Sequence, residues 1–580
     1  MGRKSLKPGP RDCRSTGAPR AGRQVGPRAG RAPARLLASP AMRRTDRPLH
    51  RRTLDTPHPR AVSLAALTAL VALALSAPAP ARAASREFIP VGDPLESELR
   101  LLDLLGPAAP DERILRPHLG LRPLQRFELQ GRATPTGSPD AARAISFARL
   151  ERALGRDAAP WFAPHPSWRS TPRLFEATAP EDQRFEFSAA AGGGAVADTG
   201  QARFTSGSGL HARLGVQVEQ WLLFTNLLIG RVDRARFFAD PIVANTDFIA
   251  YTDETYLAYS DRGGRWGMQF GRGRWHWGPG EEASLLISRT AAPITGLSYQ
   301  VHLAALHLDA SALSATLQQA AGEQLAAHRL EWQPRDALRL GLTETARYQA
   351  SSWQPLYTIG AIPYILVQRL LVQDEPDSSG ALRNNIMLGL DAAWRIAPGT
   401  RVYGELLLDD LHARTADNPN KYGWQLGWEG VGTLGAARLS WGGECTRLSR
   451  YVYTSYFGRS YQAQGAPLGF PAGPDSRRIA LRGALDLGPD WQLLARASRS
   501  DQGENGLAEP YVPGSPRVEV GTFEGVVEQT REVGAGLRWW PASGVDLRAL
   551  AGYRWTENEA HVTGRRAGHA RLTLEAHLVR

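Results

Sequence analysis

The sequence predicts an all-β fold, a transmembrane antiparallel β-barrel of about 18 strands with a small N-terminal helical module before it. Three observations carry this. From about Arg184 onward, apolar and polar residues alternate with period two in runs of about 10 residues joined by short turns. No apolar run long enough for a membrane helix follows the N-terminal export signal. Tryptophans such as Trp394, Trp491, Trp539, Trp540 and Trp555 fall near the ends of runs, as an interfacial girdle requires, and Lys421 is the one lysine after residue 83.

The export signal comes first. Ala61 to Ser76, AVSLAALTALVALALS, is apolar and uncharged, with Arg60 and further arginines before it and a small-residue stretch after it. The run is shorter than the roughly 20 residues of a spanning helix, and Pro78 and Pro80 stop it. Ala81-Arg82-Ala83 has the small-x-small form of a signal-peptidase site, so Ala84 is the expected mature N-terminus. Residues 1–83 are therefore a basic extension plus signal peptide. Met42 opens a more ordinary signal n-region, MRRTDRPLHRR, and is the better start codon.

This division changes the electrostatics. The chain holds 69 basic and 57 acidic residues, a net of +12. Residues 1–83 hold 17 and 3 of these, which leaves 52 and 54 in residues 84–580, a net of −2. The basic balance that points to nucleic acid goes with the leader, and no nucleic-acid partner is expected. Cys445 is the one cysteine after the signal, so no internal disulfide forms in the mature part.

Residues 84–180 read as a periplasmic helical module. Asp93-Pro94 is an N-cap followed by a first helical position, and Leu95, Leu99, Leu102 and Leu105 recur at helical spacing up to Gly106-Pro107. A second helix is expected from Ser138-Pro139-Asp140 through Ile145, Phe147 and Leu150 to Gly155.

Residues 181–580 read as the outer-membrane barrel. Val545, Leu547, Ala549, Ala551, Tyr553 and Trp555 line one face of a strand, with Asp546, Arg548 and Arg554 on the other. Ile386, Leu388, Leu390, Ala392 and Trp394 alternate in the same way before Pro398-Gly399, and Ile479 to Leu487 before Gly488-Pro489-Asp490. A bilayer leaves no water for free strand edges, so such strands close. The charged faces then line a lumen. A soluble sandwich or propeller also alternates, but it explains neither the strand length nor the tryptophans.

The densest motif is Gly271 to Gly296, GRGRWHWGPGEEASLLISRTAAPITG. Its Arg274, Trp275, Trp277, Gly278, Pro279, Gly280, Ser284, Leu285, Leu286, Ser288, Ala292 and Pro293 resemble an element of the capsule-assembly Wzi family of outer-membrane proteins. Three further stretches resemble that family in the same order: GDPLESELRLLDLLG, VYGELLLDD (402–410), and Tyr451 to Asp475 with its YVYTSYFGRSYQ, PLG and Gly473-Pro474-Asp475. Arg289 and Thr290 depart from the family pattern, which often has Asn there, and the chain ends in Arg580 rather than an aromatic residue. The resemblance implies an 18-stranded barrel that binds capsular or other surface polysaccharide and helps attach it, lectin-like and without catalysis. It also implies outer-membrane lipid and the barrel assembly machinery as partners.

The candidate glycan-binding residues are Arg272, Arg274, Trp275, Trp277, Glu405, Asp409 and Asp410. Indole faces suit stacking on sugar rings, and they also suit a girdle or a packed strand end. Arg272 and Arg274 suit uronate carboxylates or an interior pair with Glu281 or Glu405. Gly278-Pro279-Gly280 requires a tight turn, and Pro293, Gly473, Pro474 and Asp475 complete the structural positions. Glu405 and Asp409 share a strand face about 13 Å apart, which exceeds the spacing of a glycosidase pair. No Cys/His metal spacing, GxSxG elbow or nucleotide loop occurs, so no metal or cofactor is expected. A diffusion porin and an outer-membrane hydrolase are the alternatives.

Overall fold

The computed structural model describes residues 88–89, 94–106, 120–125, 140–156, 168–171, 186–190, 203–205, 208–218, 220–231, 248–261, 265–374, 384–410, 419–516, 518–519, 521–542 and 545–578. The signal peptide, Met42 and the 1–83 segment lie outside them.

The described chain closes into an antiparallel barrel. Its long strands are β1 (Ser208–Val218), β2 (Trp221–Arg231), β3 (Phe248–Ser260), β4 (Trp266–Gly273), β5 (Ile294–Leu303), β6 (Leu308–Gln318), β7 (Glu323–Arg335), β8 (Leu338–Gln349) and β9 (Asn385–Ala397). They continue as β10 (Thr400–Asp410), β11 (Lys421–Leu434), β12 (Ala437–Leu448), β13 (Ser476–Asp486), β14 (Trp491–Gln502), β15 (Glu528–Ala542), β16 (Val545–Glu557) and β17 (Arg566–Leu578). Each pairs with the next along the chain. Closure runs from β17 to Glu186–Ala190 and from Trp168–Thr171 to β1. The 181 boundary therefore falls inside the sheet. Trp168–Thr171 is four residues long in a proline-rich stretch, too short to display alternation.

The alternation is inverted relative to a soluble protein. In β10, Arg401, Glu405 and Asp409 point inward and are buried, while Val402 and Leu406 are exposed on the outer wall. In β11, Gln425 and Glu429 are inward and Leu426 and Trp428 outward. Apolar residues outside and charges inside are the arrangement a bilayer selects.

The two ends differ. Connections at one end are tight, as at Pro398-Gly399 and Gly435-Ala436; the other end carries the long ones, including 274–293, 350–384, 449–475 and 503–527, beside the short turn 319–322. Exposed Trp221, Trp266, Trp332, Trp394, Trp428, Trp441, Trp491 and Trp539 all sit near the short-turn end and make one girdle, with Trp491 stacked on Trp539 at 5.0 Å. Trp540 is not in it. Its neighbour in the strand occupies the outer wall, so Trp540 turns inward and lies under Arg149 and Arg538.

Helices α1 (Pro94–Leu105) and α2 (Ala141–Arg156) pack on each other and on the short-turn ends of β10, β11 and β12. Leu95, Leu99 and Leu102 are buried, as their spacing requires, but so are Glu96, Glu98, Arg100 and Asp103. The polar face of α1 meets the charged lumen wall where water would ordinarily be. Asp103 accepts from Arg339 and Arg401 at 2.8 Å each. Glu98 accepts from Arg438 and Arg149 at 2.7 and 2.8 Å. The backbone closes the contact, with Gly399 N–H donating to Leu104 O at 2.8 Å.

Candidate functional site

The motif between β4 and β5 leaves the wall and folds into the lumen. His276-Trp277 pairs with Leu121-Arg122 as a short two-stranded sheet, and Trp277 N–H also reaches Ile287 O at 3.0 Å. The turn at Gly278-Pro279-Gly280 follows. Gly278 has φ +128°, and a Cβ there would lie 2.5 Å from a Glu405 oxygen. A Cβ on Gly280 would lie 2.3 Å from Ala283 O. Both positions therefore require glycine for a backbone that presses against a carboxylate.

Glu405 organises this turn from β10. It accepts from Gly280 N–H and Leu285 N–H at 2.9 Å each and from the Ser284 hydroxyl at 3.0 Å. Glu444 on β12 does the same for the next two residues, accepting from Glu281 N–H and from Glu282 N–H at 3.0 Å, and from the Tyr403 hydroxyl at 2.7 Å. Arg100 on α1 donates to Pro279 O at 2.8 Å, and Arg122 to Gly280 O at 3.2 Å. The inward segment is thus gripped by the wall and by the helical module together.

His276 is wholly buried under this turn. Its Nδ1 accepts from Arg289 N–H at 3.2 Å, so Nε2 carries the proton and donates to Gly280 O at 3.0 Å. Burial and the Arg122, Arg289 and Arg100 guanidiniums hold the imidazole well below its usual range and keep it neutral. Burial opposes ionisation of Glu281, but Arg100, Arg289, Arg482 and Arg122 outweigh it and bring the carboxyl down to about 2. The Arg100–Glu281 and Arg289–Glu281 contacts are 3.3 and 3.8 Å.

The structure brings some of the sequence candidates together and separates others. Trp275 and Trp277 are 3% and 2% exposed, packed in a lumen core with Leu285, Leu286, Tyr453 and Phe470. Glu405 holds the glycine–proline–glycine turn. Asp409, on the same strand face, accepts from Tyr453 N–H at 2.7 Å. Asp410 pairs with Lys421 at 2.6 Å and keeps 44% of its side chain exposed. Arg272 donates to Thr252 O at 2.9 Å and Arg274 to Ala291 O at 2.6 Å, both half-buried. Pro293 is buried at the return to β5. Gly473 takes φ +72°, Pro474 O accepts from Gln502 at 2.8 Å, and the Asp475 carboxylate accepts from Glu524 N–H at 2.9 Å. Asp475 thereby joins the 449–475 loop to the 503–527 loop, and Pro474 joins it to the end of β14.

The 449–475 loop lies on the inward segment. Ser288 N–H donates to Leu468 O at 2.9 Å, and the Tyr453 hydroxyl to Leu285 O. Sequence reasoning missed Arg100, Arg122, Glu444 and Tyr453 as members of this constellation. Tyr453 lay within a motif already singled out. Arg100 lay within GDPLESELRLLDLLG, also singled out, whereas Arg122 and Glu444 carry no local signal, because each looks like an ordinary polar position of its own element. Among the described residues, no group of three His, Cys, Asp or Glu is arranged to hold a metal.

A solved structure described as Wzi, an outer-membrane protein involved in group 1 capsule assembly in Escherichia coli and a carbohydrate-binding β-barrel, is similar to this chain. The TM-score is 0.55 at 16% identity, covering 84% of this chain and 98% of that one, and the two share a fold. Two Pseudomonas aeruginosa structures are also similar, OccD3 with TM-score 0.38 at 11% identity over 68% of this chain and 90% of that one, and OprD with 0.37 at 11% over 68% and 93%. Compared by sequence with curated proteins, the chain has no match. Residues 198–570 match the family model described as capsule assembly protein Wzi; they include the inward-folded turn and the wall carboxylates that hold it, and the chain belongs to this Wzi family of outer-membrane barrels.

Proposed function

We propose that this barrel is a non-enzymatic binder of capsular or other surface polysaccharide, which it helps to attach at the cell surface. The observation that carries this reading is how much of the lumen the described residues occupy. Both ends are occupied by segments hydrogen-bonded to the wall, and Glu405, Asp409 and Glu444 are engaged by backbone donors. A porin needs an open path, and a hydrolase needs carboxylates free to exchange protons; this interior favours neither. The similarity to a barrel described as carbohydrate-binding supplies the ligand class.

Short turns face the periplasm in such barrels and long loops face outward. On that orientation α1 and α2 form the periplasmic part of the expected 84–180 module, the barrel takes in Trp168–Thr171 ahead of 181, and polysaccharide meets the long-loop end. Trp275 and Trp277 then act as the floor under the binding loops. Arg272, Arg274 and Asp410 keep part of their surface for ligand, and Tyr456, 57% exposed with Phe457 edge-on at 4.7 Å, offers an aromatic face. The remaining partners on this reading are outer-membrane lipid and the barrel assembly machinery, with no metal or cofactor.

Purified protein is tested against the cell's own polysaccharide, and a gene deletion is scored for polysaccharide synthesis and retention. We expect binding, intact synthesis and reduced retention. Tyr456→Ala weakens binding roughly five- to tenfold, the size of one aromatic contact. Absence of binding together with unchanged retention overturns the reading.

A further inference from the structure

The 350–384 connection starts at the long-loop end, yet part of it is found on the outside of the barrel. Helix α3 (Pro355–Ile359) and helix α4 (Tyr364–Asp374) lie against the outer face of β5 to β9. Side-chain parity fixes the face. Leu330 and Trp332 of β7, Leu342 of β8 and Leu390 and Trp394 of β9 are exposed on the outer wall. His328, Glu344 and Ile386 share their parity, as do Ala326, Ala346 and Tyr348, so all six point outward as well. Ala326, Ala346 and Tyr348 are nevertheless buried, because α3 and α4 cover them.

The contact is specific. Tyr357 stacks on Tyr348 at 4.7 Å, and Tyr364 packs edge-on against Tyr357 at 5.2 Å and over His328 at 4.3 Å. The Tyr299 hydroxyl, also on the outer wall, donates to Thr358 O at 3.0 Å. Gly360 links the two helices with φ +61°, and a Cβ there would lie 2.7 Å from the Cβ of Ala312. The most telling contact is polar. His328 and Glu344 face each other across β7 and β8 with 3.1 Å between them. The Glu344 carboxylate caps α4, accepting from Tyr364 N–H at 2.7 Å and Ile365 N–H at 3.3 Å.

Height on the wall decides what surrounds this segment. His328 stands four residues above Trp332 of the girdle, about 10 Å at ordinary rise and tilt. The apolar band of such a barrel is about 25 Å tall. The His328–Glu344 row therefore lies in the hydrocarbon region, directly above the exposed row of Leu330, Leu342, Leu390 and Leu406, which pair in register across the four strands. An acid and an imidazole on a lipid-facing wall are unfavourable unless something covers them. Helix α4 covers them, and its other face is itself apolar: Ile365, Leu366 and Leu370 are 56%, 51% and 40% exposed, beside Ile359 at 53%. A helix apolar on both faces fits a packed wall on one side and hydrocarbon on the other.

We infer that Pro355–Asp374 is an in-membrane strap on the outer wall, and that Ile359, Ile365, Leu366 and Leu370 form a docking face for acyl chains of outer-leaflet lipid. The face adjoins the lipid-contacting wall, directly above the exposed row of Leu330, Leu342, Leu390 and Leu406, which is why lipid is its occupant. Arg369 lies among the exposed residues, long enough to carry its guanidinium toward a headgroup.

The test uses the full mature protein with Cys445 changed to serine and one spin label at Ile365→Cys or Leu366→Cys, reconstituted in phosphatidylcholine vesicles. References are Leu330→Cys on the lipid wall and Val512→Cys in an exposed loop. Power saturation should show both strap sites accessible to oxygen and shielded from a water-soluble nickel chelate, as at position 330 and opposite to position 512. Nickel accessibility equal to that at position 512 overturns the proposal. Labels immobile and shielded from both reagents overturn it as well, since a protein partner or second copy would then occupy the face. Gly360→Val should raise label mobility at position 365 while the barrel keeps its heat-modifiable migration in gels. Unchanged mobility in that variant refutes docking of the strap on the wall.

Discussion

Glu405 accepts from two backbone N–H groups and one hydroxyl that all belong to a single inward-folded segment. Removing it leaves the Gly280 and Leu285 N–H groups without their acceptor, each at about 1–3 kcal/mol, while the Ser284 hydroxyl keeps Trp277 O. Glu405→Ala should therefore lower the melting temperature of the solubilised barrel, measured by circular dichroism, and Gly278→Ala should do the same by forcing a Cβ against that carboxylate. Trp277 separates two roles. If its indole is floor rather than ligand contact, Trp277→Ala costs about 3–5 kcal/mol of stability and reduces polysaccharide binding in step with unfolding. Normal stability with lost binding would assign it to the ligand instead.

Helix α1 is held by charge at the scale of the element. Burial favours the neutral form of Glu98, but Arg438 and Arg149 outweigh it and lower its pKa from 4.5 to about 2. A carboxyl held lower in the folded state stabilises docking fully above pH 4.5, and the contribution fades as pH falls toward about 2. The size is about 3 kcal/mol. Limited proteolysis of the α1–α2 module should accordingly be flat from pH 7 to 5 and accelerate below about 4.5. Glu98→Gln should remove much of that acid sensitivity while raising cleavage at neutral pH. An unchanged acid profile in the variant would place the responsible group elsewhere, with Glu281 next in line.

At the scale of the whole molecule, the barrel is closed by two inward contributions that meet at one turn. Arg100 and Arg122 of the N-terminal part and Glu405 and Glu444 of the wall all hold residues 278–282. Planar-bilayer recordings of the intact protein should show no sustained conductance. Combining Glu98→Gln with Glu405→Ala should introduce leak currents, because Glu98 anchors the helix that carries Arg100 and Glu405 anchors the turn that Arg100 meets. A wild-type protein that conducts steadily would return the porin reading to first place.

The sequence by itself determined the strands, their polarity and the first helix. Period-two runs such as Ile386–Trp394 and Val545–Trp555 carry which face is apolar in the residues themselves, and a bilayer admits such strands only as a closed barrel. The glycine–proline–glycine turn was legible for the same local reason. Tertiary structure alone decided where the turn goes and what lies inside and outside the wall. Glu98, Arg100 and Asp103 look like a solvent face until the lumen places arginines and glutamates opposite them. Burial of Trp275 and Trp277 comes only from the chain folding inward over them, and YILVQRLLVQD, which the period-two pattern does not describe, is placed only by Glu344 capping it against the wall. Each of these outcomes depends on partners tens to hundreds of residues away, and local periodicity contains no term for them.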